Sequence, residues 1–340
     1  MRIADITTFG ATGDGTTLNT QTIQKAIDSC SSSTSAFGCK VSIPKGIFLS
    51  GPLFLRSQMT FELANGAILR ATSDPSKFPN QYGNTPSAFL NALNGSLTNI
   101  RVIGPGSVDG NGWKLASNAI DELGKQNSCI CKGRLADSKN VSIISVRLQT
   151  YNINNGDGID IGRSSNIQII GSFFDTGDDC IAMGTGCGSN AGQGAPVHDN
   201  VAFLTDNGIR FKSSPQCGGG AQNVYARDIA MQSVGSYNNF TFGGRQFSGD
   251  TTAGHPFVFM LDYDSNPSGN AKIPAQFKDI TITRCSVDNI KPTKSGEILY
   301  VVGHDGGNIY QPVYNKNITF KDIKVINAAP AQINYSTLVF

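Results

Sequence analysis

The sequence predicts an all-β protein that folds as a single-stranded, right-handed parallel β-helix with a short N-terminal capping helix. Short segments of alternating apolar residues recur along the chain, each behind an Asn or Asp, at intervals that suit one coil of a solenoid. The composition agrees, because 39 Gly, one Trp and 15% charged residues among 340 are typical of strands joined by many polar corners. We expect one domain, residues 1–340, since no segment has a linker-like composition.

The first element is a predicted helix near residues 20–30. Its apolar residues share one face at helical spacing: Ile23, Ala26, Ile27 and Cys30. Thr20 or Thr22 is the expected N-cap. A helix at the end of a stack would cover apolar surface and strand edges that have no further coil to pair with. The alternating residues 41–50 then predict a strand.

The recurring segments have one form, a polar turn residue followed by alternating apolar positions. They begin at Asn99, Asn140, Asn166, Asn200, Asn223, Asp279 and Asn317. Asn140 to Asn166 is 26 residues and Asn200 to Asn223 is 23, too long for hairpins and suited to a coil. Such coils stack about 4.8 Å apart and form inward ladders of Ile, Val and Leu. A β-sandwich of hairpins is the alternative, and these intervals and the single helix count against it.

The charge balance restricts the partners. A net charge of +2 argues against nucleic acid as the main partner and leaves room for a local basic groove that attracts an acidic polymer. No apolar run is long enough to span a membrane. We expect a monomer with no membrane partner.

The cysteines and sequons favour an oxidising compartment. The eight cysteines have no zinc-binding spacing, and we expect two local disulfides, Cys30–Cys39 and Cys180–Cys187. Five sequons begin at Asn94, Asn140, Asn239, Asn317 and Asn334. No signal peptide is visible, and the chain opens as a mature domain would, so secretion is an inference.

The densest acidic cluster carries the expected chemistry. Asp157 and the pair Asp178–Asp179 are 21 residues apart, close to one coil, so they should lie side by side on neighbouring layers. Crowded carboxylates raise one another's pKa, which keeps one protonated beside an ionised one. Glycoside hydrolysis needs that combination, an acid for the leaving oxygen and a base for water. The alternatives are turn formation, above all for Asp160 and Asp175, and a calcium site.

At this point the chain resembles glycoside hydrolase family 28, the polygalacturonases and related pectin hydrolases, whose fold is the pectin-lyase-like solenoid. The likeness runs nearly end to end. It includes residues 9–15, 43–46, 50–55 and 104–110, then Asn155-Gly-Asp157, Asp178-Asp179, Arg210-Phe-Lys212 and Tyr263.

The resemblance implies single-step inverting hydrolysis of polygalacturonate, with no cofactor and no metal. It assigns Asp178 as the general acid, and Asp157 and Asp179 as the carboxylates that activate water. Arg210 and Lys212 would hold a galacturonate carboxylate, because the arginine guanidinium can donate two parallel hydrogen bonds and the lysine ammonium acts as a point charge. Tyr263 would contact the substrate. The Gly-rich residues 186–196 resemble the exo-acting members.

Two departures from the family concern activity. The family's Gly-His-Gly motif is not found; His198 has the context of a turn opening the next strand, and His255 and His304 are expected at the surface. The interval from Asp179 to Arg210 is short by about one coil, and a second gap falls between Arg147 and Asn154. We therefore expect Arg210 and Lys212 to stack directly on the aspartates and to pair with Asp178 or Asp179, which opposes an acid role.

Three other functions stay open. A hydrolase of rhamnogalacturonan or xylogalacturonan would keep the chemistry and change the substrate. A catalytically impaired β-helix would only bind pectin or act as an adhesin. A calcium-dependent lyase is disfavoured, because the aspartate pair follows the hydrolase pattern.

Overall fold

A computed structural model describes residues 1–340 except 83–84, 94–96, 112–132, 151–155, 185–195, 199–200, 204–206, 219, 233, 235–239, 243–244, 248–253, 264–273, 289–297, 305–311, 313–314, 326–331, 335 and 340. The chain divides into two compact units, residues 1–159 with 167–178, and residues 160–166 with 179–340. Strands β16 (Ile159–Ile161) and β17 (Ser165–Ile170) contain residues of both units. No helix of the described residues is long and apolar enough to cross a membrane.

The first unit is built from parallel strands on three faces. One face has β1 (Arg2–Asp5), β3 (Cys39–Ile43), β6 (Met59–Leu63), β11 (Leu97–Ile103) and β14 (Ser138–Ile144). The second has β2 (Asp14–Leu18), β4 (Gly46–Ser50), β7 (Ala67–Ala71), β12 (Ser107–Asp109), β15 (Arg147–Thr150) and β18 (Phe173–Thr176). The third has β5 (Leu53–Phe54), β10 (Leu90–Ala92) and β13 (Gly133–Leu135). β8 (Asn80–Tyr82) and β9 (Thr85–Pro86) form an antiparallel pair.

The second unit has the same construction, built from its own strands. One set has β20 (Pro196–His198), β21 (Val201–Phe203), β23 (Gly220–Arg227), β24 (Ala230–Gln232), β28 (Gln276–Asp288), β30 (Asn315–Val325) and β32 (Ser336–Val339). The other has β19 (Ile181–Gly184), β22 (Ile209–Lys212), β27 (Phe257–Met260), β29 (Leu299–Val302) and β31 (Gln332–Asn334). A hairpin joins β25 (Phe240–Phe242) and β26 (Arg245–Phe247). Both units are parallel β-helix stacks, which confirms the predicted fold class.

Helix α1 (Thr20–Ser29) covers the first coil as predicted, with Ile23, Ala26 and Ile27 buried. It packs on β1, on β5 and on a 3-10 helix at Ile6–Phe9. Gln24 explains how the edge of β5 is satisfied: its Nε2 donates to Phe54 O at 3.0 Å, and its Oε1 accepts from Phe54 N at 2.9 Å. A side chain of the helix therefore supplies the hydrogen bonds that a further strand would have made.

The N-cap prediction was wrong. The cap residue is Asn19, and it makes no side-chain cap hydrogen bond. Its Oδ1 accepts from Thr12 N at 2.8 Å and its Nδ2 donates to Thr17 O at 2.7 Å, so the side chain fixes the preceding loop. The Oγ1 of Thr20 accepts from Gly51 N at 2.6 Å and holds the chain beyond β4 instead of capping the helix.

The recurring Asn and Asp residues turn the backbone at one corner of each coil. Six of the seven predicted openings adopt the left-handed conformation, with φ between 51° and 58°: Asn99, Asn140, Asn166, Asn223, Asp279 and Asn317. Their side chains also bond between layers. Asn140 Nδ2 donates to Asn99 Oδ1 at 2.9 Å, and Asn317 Nδ2 donates to Asp279 Oδ1 at 2.9 Å. The pattern marks this corner because Asn and Asp tolerate positive φ better than other non-glycine residues.

The seventh opening, Asn200, lies outside the described residues, and the strand that follows it pairs on another face. β20 (Pro196–His198) pairs with Tyr225–Arg227, so the coil step there, from Val197 to Ala226, is 29 residues rather than 23. Val201–Phe203 pairs with Ala230–Gln232, on the next face. His198 accordingly ends a strand and does not open one. The 26-residue interval is confirmed, because Arg147 pairs with Phe173.

The interior contains more aromatic residues than the predicted aliphatic ladders. Among the largest fully buried side chains are Phe48, Phe61, Phe89, Phe174, Phe211, Phe257, Phe259 and Phe277. In the second unit Phe211 stacks on Phe259 with ring centroids 4.6 Å apart. These pairs follow directly from the register, since Phe211 and Phe259 are opposite one another on adjacent parallel strands.

One of the two predicted disulfides is present. Cys30 and Cys39 are bonded and tie the end of α1 to β3. The Cys180–Cys187 prediction was wrong: Cys180 is a free, buried thiol whose pKa is raised by burial and by the neighbouring Asp179 carboxylate, while Cys187 lies outside the described residues. The Cys180 side chain is buried, only 3% exposed.

Candidate active site

Asp179 is the centre of the described site. It lies in the turn before β19 and is 0% exposed. Its Oδ1 accepts a hydrogen bond from Asn207 Nδ2 at 2.8 Å and lies 3.2 Å from Arg210 Nη1. Its Oδ2 lies 2.8 Å from Lys212 Nζ. Two cations and one amide therefore compensate a carboxylate that would be costly to bury alone.

Arg210 and Lys212 reach Asp179 because they project outward from β22. Their neighbours on the strand are buried, and side chains alternate between the two faces of a strand. Arg210 is opposite Ala182 and Lys212 is opposite Gly184 on β19. A Cβ on Gly184 would meet Lys212 Cε at 3.9 Å, so the lysine stem extends over the preceding coil towards Asp179.

The pairing predicted from the short interval is confirmed. Ala182 is opposite Arg210, 28 residues later, and the backbone N–H of Cys180 donates to Asn207 O at 2.8 Å. The coil that carries the cations is therefore the one directly after Asp179. The ion pairs form with Asp179, one of the two residues that the prediction named.

Tyr263 lies against both cations. Its ring centroid is 5.2 Å from Arg210 Cζ and 5.4 Å from Lys212 Nζ, and the residue is 50% exposed. The N–H of Tyr263 donates to Ser213 O at 3.1 Å, which ties it to the end of β22. The ring face stabilises the two positive charges and leaves an open aromatic surface beside them.

Asn207 is a site residue that the sequence analysis missed. It is 3% exposed, and its amide joins two coils: Nδ2 donates to Asp179 Oδ1, and Oδ1 accepts from the backbone N–H of His255 at 2.9 Å. In the sequence it precedes a glycine and a strand, which is also the signature of an ordinary turn. Its position two residues before the Arg210 strand was the available signal.

The surface prediction for His255 was wrong. His255 is 5% exposed, and its ring stacks on Tyr300 with centroids 5.2 Å apart. It is buried because its turn is packed between coils, and its carbonyl oxygen accepts from Gly208 N at 3.0 Å. His304 is half-buried. Neither burial could be read from the loop-like sequence context.

Asp157 and Asp178 lie in the first unit on adjacent turns. The N–H of Gly177 donates to Gly156 O at 3.1 Å, so the two turns are in register. Asp157 is 1% exposed and Asp178 is half-buried. Thr176 Oγ1 donates to Asp178 O at 3.1 Å. The expectation that these residues lie side by side one coil apart is confirmed at the backbone. Asn155 lies outside the described residues.

Asp160 and Asp175 lie in strands. The alternative that these two residues only form turns is therefore wrong. Oδ1 of Asp175 is buried without a hydrogen-bond partner among the described residues. Burial raises the pKa of Asp175 to about 6, against the opposing effect of the nearby Arg147 charge. Within the described residues, no three His, Cys, Asp or Glu side chains are grouped to hold a metal ion.

The comparisons with known proteins relate the chain to glycosyl hydrolases that act on galacturonate polymers. A sequence model described as "Glycosyl hydrolases family 28" matches residues 113–191. An exo-poly-alpha-D-galacturonosidase of Dickeya chrysanthemi is 29% identical over 98% of this chain and 69% of its own length. An endo-polygalacturonase of Pectobacterium carotovorum subsp. carotovorum is 26% identical over 94% and 87%. The structure of a family 28 exopolygalacturonase from Yersinia enterocolitica aligns with TM-score 0.60 and 26% identity, over 99% of this chain and 75% of that one.

A parallel β-helix with acidic and basic side chains on its turns and outward faces defines the class of protein by its fold, a parallel β-solenoid. The chain is similar to glycoside hydrolase family 28 over residues 113–191 and to polygalacturonases over nearly its whole length.

Proposed function

We propose that this chain hydrolyses α-1,4-galacturonosyl linkages in polygalacturonate, the acidic backbone of pectin. The observation that carries the proposal is the cation pair of β22: Arg210 and Lys212 project side by side from one strand, next to a carboxylate and beneath an exposed tyrosine. An arginine fork and a lysine point charge suit a sugar carboxylate. The relatives named as polygalacturonases support the same substrate.

The proposed mechanism is a single displacement with inversion. Asp178 protonates the leaving glycosidic oxygen, and Asp157 with Asp179 activates the water on the opposite side. The partial exposure of Asp178 supports its role, because the acid must reach a bound sugar. An inverting pair requires carboxyl groups roughly 6.5–9.5 Å apart. No cofactor takes part in this scheme.

Two relatives support exo action. The Dickeya chrysanthemi protein is named an exo-poly-alpha-D-galacturonosidase and the Yersinia enterocolitica structure is an exopolygalacturonase. We extend the proposal to cleavage from a chain end. The Gly-rich residues 186–196, which follow the aspartate pair in the sequence and resemble the exo-acting members, support this extension. We also propose that the protein is secreted and acts as a monomer. The Cys30–Cys39 disulfide supports an oxidising compartment.

The second candidate is a catalytically impaired β-helix that binds pectin. It is favoured by one observation, that both cations expected to hold a sugar carboxylate already pair with Asp179. A ligand carboxylate would have to compete with an internal one that loses no translational freedom on binding. This competition predicts weak turnover and weak affinity of Arg210 and Lys212 for a sugar carboxylate.

A turnover assay on polygalacturonate separates the candidates. The hydrolase releases reducing sugar without the absorbance of an unsaturated product; a lyase would produce that absorbance. Retained binding of polygalacturonate with no reducing-sugar release identifies the impaired binder. Analysis of the first products distinguishes exo action, which gives one short product, from endo action, which gives a range of lengths.

A further inference from the structure

Helix α1, β5 and the chain after β7 enclose an open pocket of about 440 Å³. Small-molecule sites measure about 300–1,000 Å³, so this volume suits a short sugar. We call it the cap pocket, and the residues that define it are Gln21, Gln24, Lys25, Phe54, Lys77 and Pro79. It lies beside β5, and β10 and β13 separate that strand from the turn that holds Asp157. The cap pocket is therefore distinct from the aspartate site.

The helix contributes polar side chains to the cap pocket. Gln21, Lys25 and Asp28 are exposed and recur at i, i+4 and i+7, on the side of α1 opposite its buried residues. Gln24 is fully engaged, because its amide bonds the backbone of Phe54 and donates to Asp28 Oδ1. The side chains of Gln21 and Lys25 make no hydrogen bond or ion pair with the described residues. These two groups are available to a ligand.

The opposite wall is mostly apolar. It consists of Pro52, Phe54, Lys77 and Pro79. Phe54 is half-buried and Pro79 is exposed, so apolar surface faces the pocket beside an ammonium group. Gly51 joins the two walls, since a Cβ there would meet Thr20 Oγ1 at 3.2 Å and Lys77 Cβ at 3.5 Å. The start of the helix and the Lys77 segment therefore contact one backbone position, which fixes the shape of the cap pocket.

The carboxylates near the cap pocket both have cationic neighbours. Asp28 Oδ1 lies 2.7 Å from Arg56 Nη2. Asp74 Oδ2 lies 3.7 Å from Lys77 Nζ, which is longer than a hydrogen bond, so the ammonium keeps its N–H groups for a ligand. Lys25 has no acidic partner among the described residues. These three cations and two carboxylates leave one positive charge in excess.

The lining suits a sugar that carries a carboxylate. A uronate has one negative charge, several hydroxyls and an apolar ring face. Ammonium groups form charge-assisted hydrogen bonds with a carboxylate, an amide side chain both donates and accepts, and an aromatic ring offers a flat apolar surface. An apolar peptide would instead bury the Gln21 and Lys25 side chains without partners, which costs free energy.

We propose that the cap pocket binds one uronate residue of the linear acidic polymer, at a site separate from the aspartates. Lys25 and Lys77 bind the carboxylate, and the Gln21 amide hydrogen-bonds a hydroxyl. The apolar face of the ring packs on Phe54 and Pro79. The inference rests on the proposed function for the identity of the polymer.

The position of the cap pocket determines which substrates benefit from it. Successive coils are about 4.8 Å apart, so three coil steps place β5 about 14 Å from the coil of Asp157. Only a chain of several sugars reaches both sites. Binding at one site then raises the effective concentration of the polymer at the other. The cap pocket therefore strengthens the binding of polymer and leaves digalacturonate unaffected.

The test compares two double variants that remove the same charge. The test variant is Lys25→Gln/Lys77→Gln, and the matched control is Lys45→Gln/Lys139→Gln, two exposed lysines of the first unit outside the pocket. Retardation in native gels containing polygalacturonic acid gives the dissociation constant, with dextran as the neutral polymer. We expect about tenfold weaker affinity for the test variant and little change for the control. Gln21→Trp, which fills the pocket without a change of charge, should weaken retardation as well.

Four outcomes would overturn the proposal. These are equal losses in the two double variants, no loss in the test variant, no loss in Gln21→Trp, or an equal loss of affinity for duplex DNA in the test variant, which would mark a non-selective polyanion site. Thermal unfolding should show that all variants fold, because the changed side chains are exposed.

Turnover of digalacturonate separates this proposal from the proposed function. The test variant should keep the wild-type rate on digalacturonate and show a raised KM on the polymer. If the wild type has no turnover while retardation still depends on Lys25 and Lys77, the hydrolase is refuted and the cap pocket is supported.

Discussion

Lys212 Nζ lies 2.8 Å from Asp179 Oδ2, and the lysine comes from the coil directly after the one that carries the aspartate. Arg210 completes the arrangement from the same strand, at 3.2 Å from Oδ1. A carboxylate between two cations is suited to remain ionised, as a base or a counter-ion does, and is poorly suited to act as an acid. This supports the assignment of the acid role to Asp178.

Asp178→Asn should abolish reducing-sugar release from polygalacturonate and leave folding and binding largely intact. The acid stabilises the transition state far more than the bound ground state, and general acids typically contribute about 10²–10⁴-fold. Turnover and gel retardation are measured on the same preparation. Asp175→Asn, three residues away, is the matched control and should retain turnover. NMR of the first product should show anomeric inversion; retention would refute the single displacement.

Asp179→Asn should lower the free energy of unfolding by about 3–5 kcal/mol, since it leaves Arg210 and Lys212 together without their carboxylate. Urea unfolding measures the loss. Asp28→Asn is the control, because Asp28 pairs with Arg56 in an exposed bridge at 2.7 Å and should cost under about 1 kcal/mol. Equal losses in the two variants would mean that the buried ion pairs contribute no more than a surface one.

Asn207→Ala should destabilise the protein by about 1–3 kcal/mol, because it removes a hydrogen bond to Asp179 and leaves the backbone N–H of His255 without its acceptor. Asn207→Asp restores that acceptor but places a second carboxylate beside Asp179. If Asn207 positions Asp179 for catalysis, the pH dependence of turnover by Asn207→Asp should differ from that of the wild type. The free energy of unfolding of Asn207→Asp should lie between those of Asn207→Ala and the wild type. An unchanged profile with full turnover would reduce Asn207 to a structural role.

Asp175 should make the protein less stable as the pH rises. Its folded pKa, about 6, is above the ordinary value of 3.8, so the folded state binds the extra proton between these values and stability falls across that window. Asp175→Asn should therefore match wild type near pH 4 and be more stable above pH 6, by about 1–2 kcal/mol after allowance for partial exposure. Urea unfolding at the two pH values measures it; an equal difference at both would contradict the burial of this carboxylate.

Much of the fold was predictable because its signals are local. The helix was found within one residue from four apolar positions, and six corner residues were identified because only a few residue types accept their positive φ. Asn200 shows the limit of this reasoning. It has the sequence form of the other openings, but the strand after it pairs on a different face. Only the register between distant strands separates the two cases, and register is set by packing across coils.

The sequence by itself determined the solenoid, the disulfide Cys30–Cys39 and the pairing of the Arg210 strand with an aspartate. The tertiary structure decided that Asp179 receives both cations, that Asn207 and His255 support it, and that Cys180 points into the core. The physical reason is that these outcomes depend on which residues of successive coils lie opposite one another. A shift of one residue would turn each of those side chains to the other face, and the register between successive coils is set by packing between strands that are distant in the sequence.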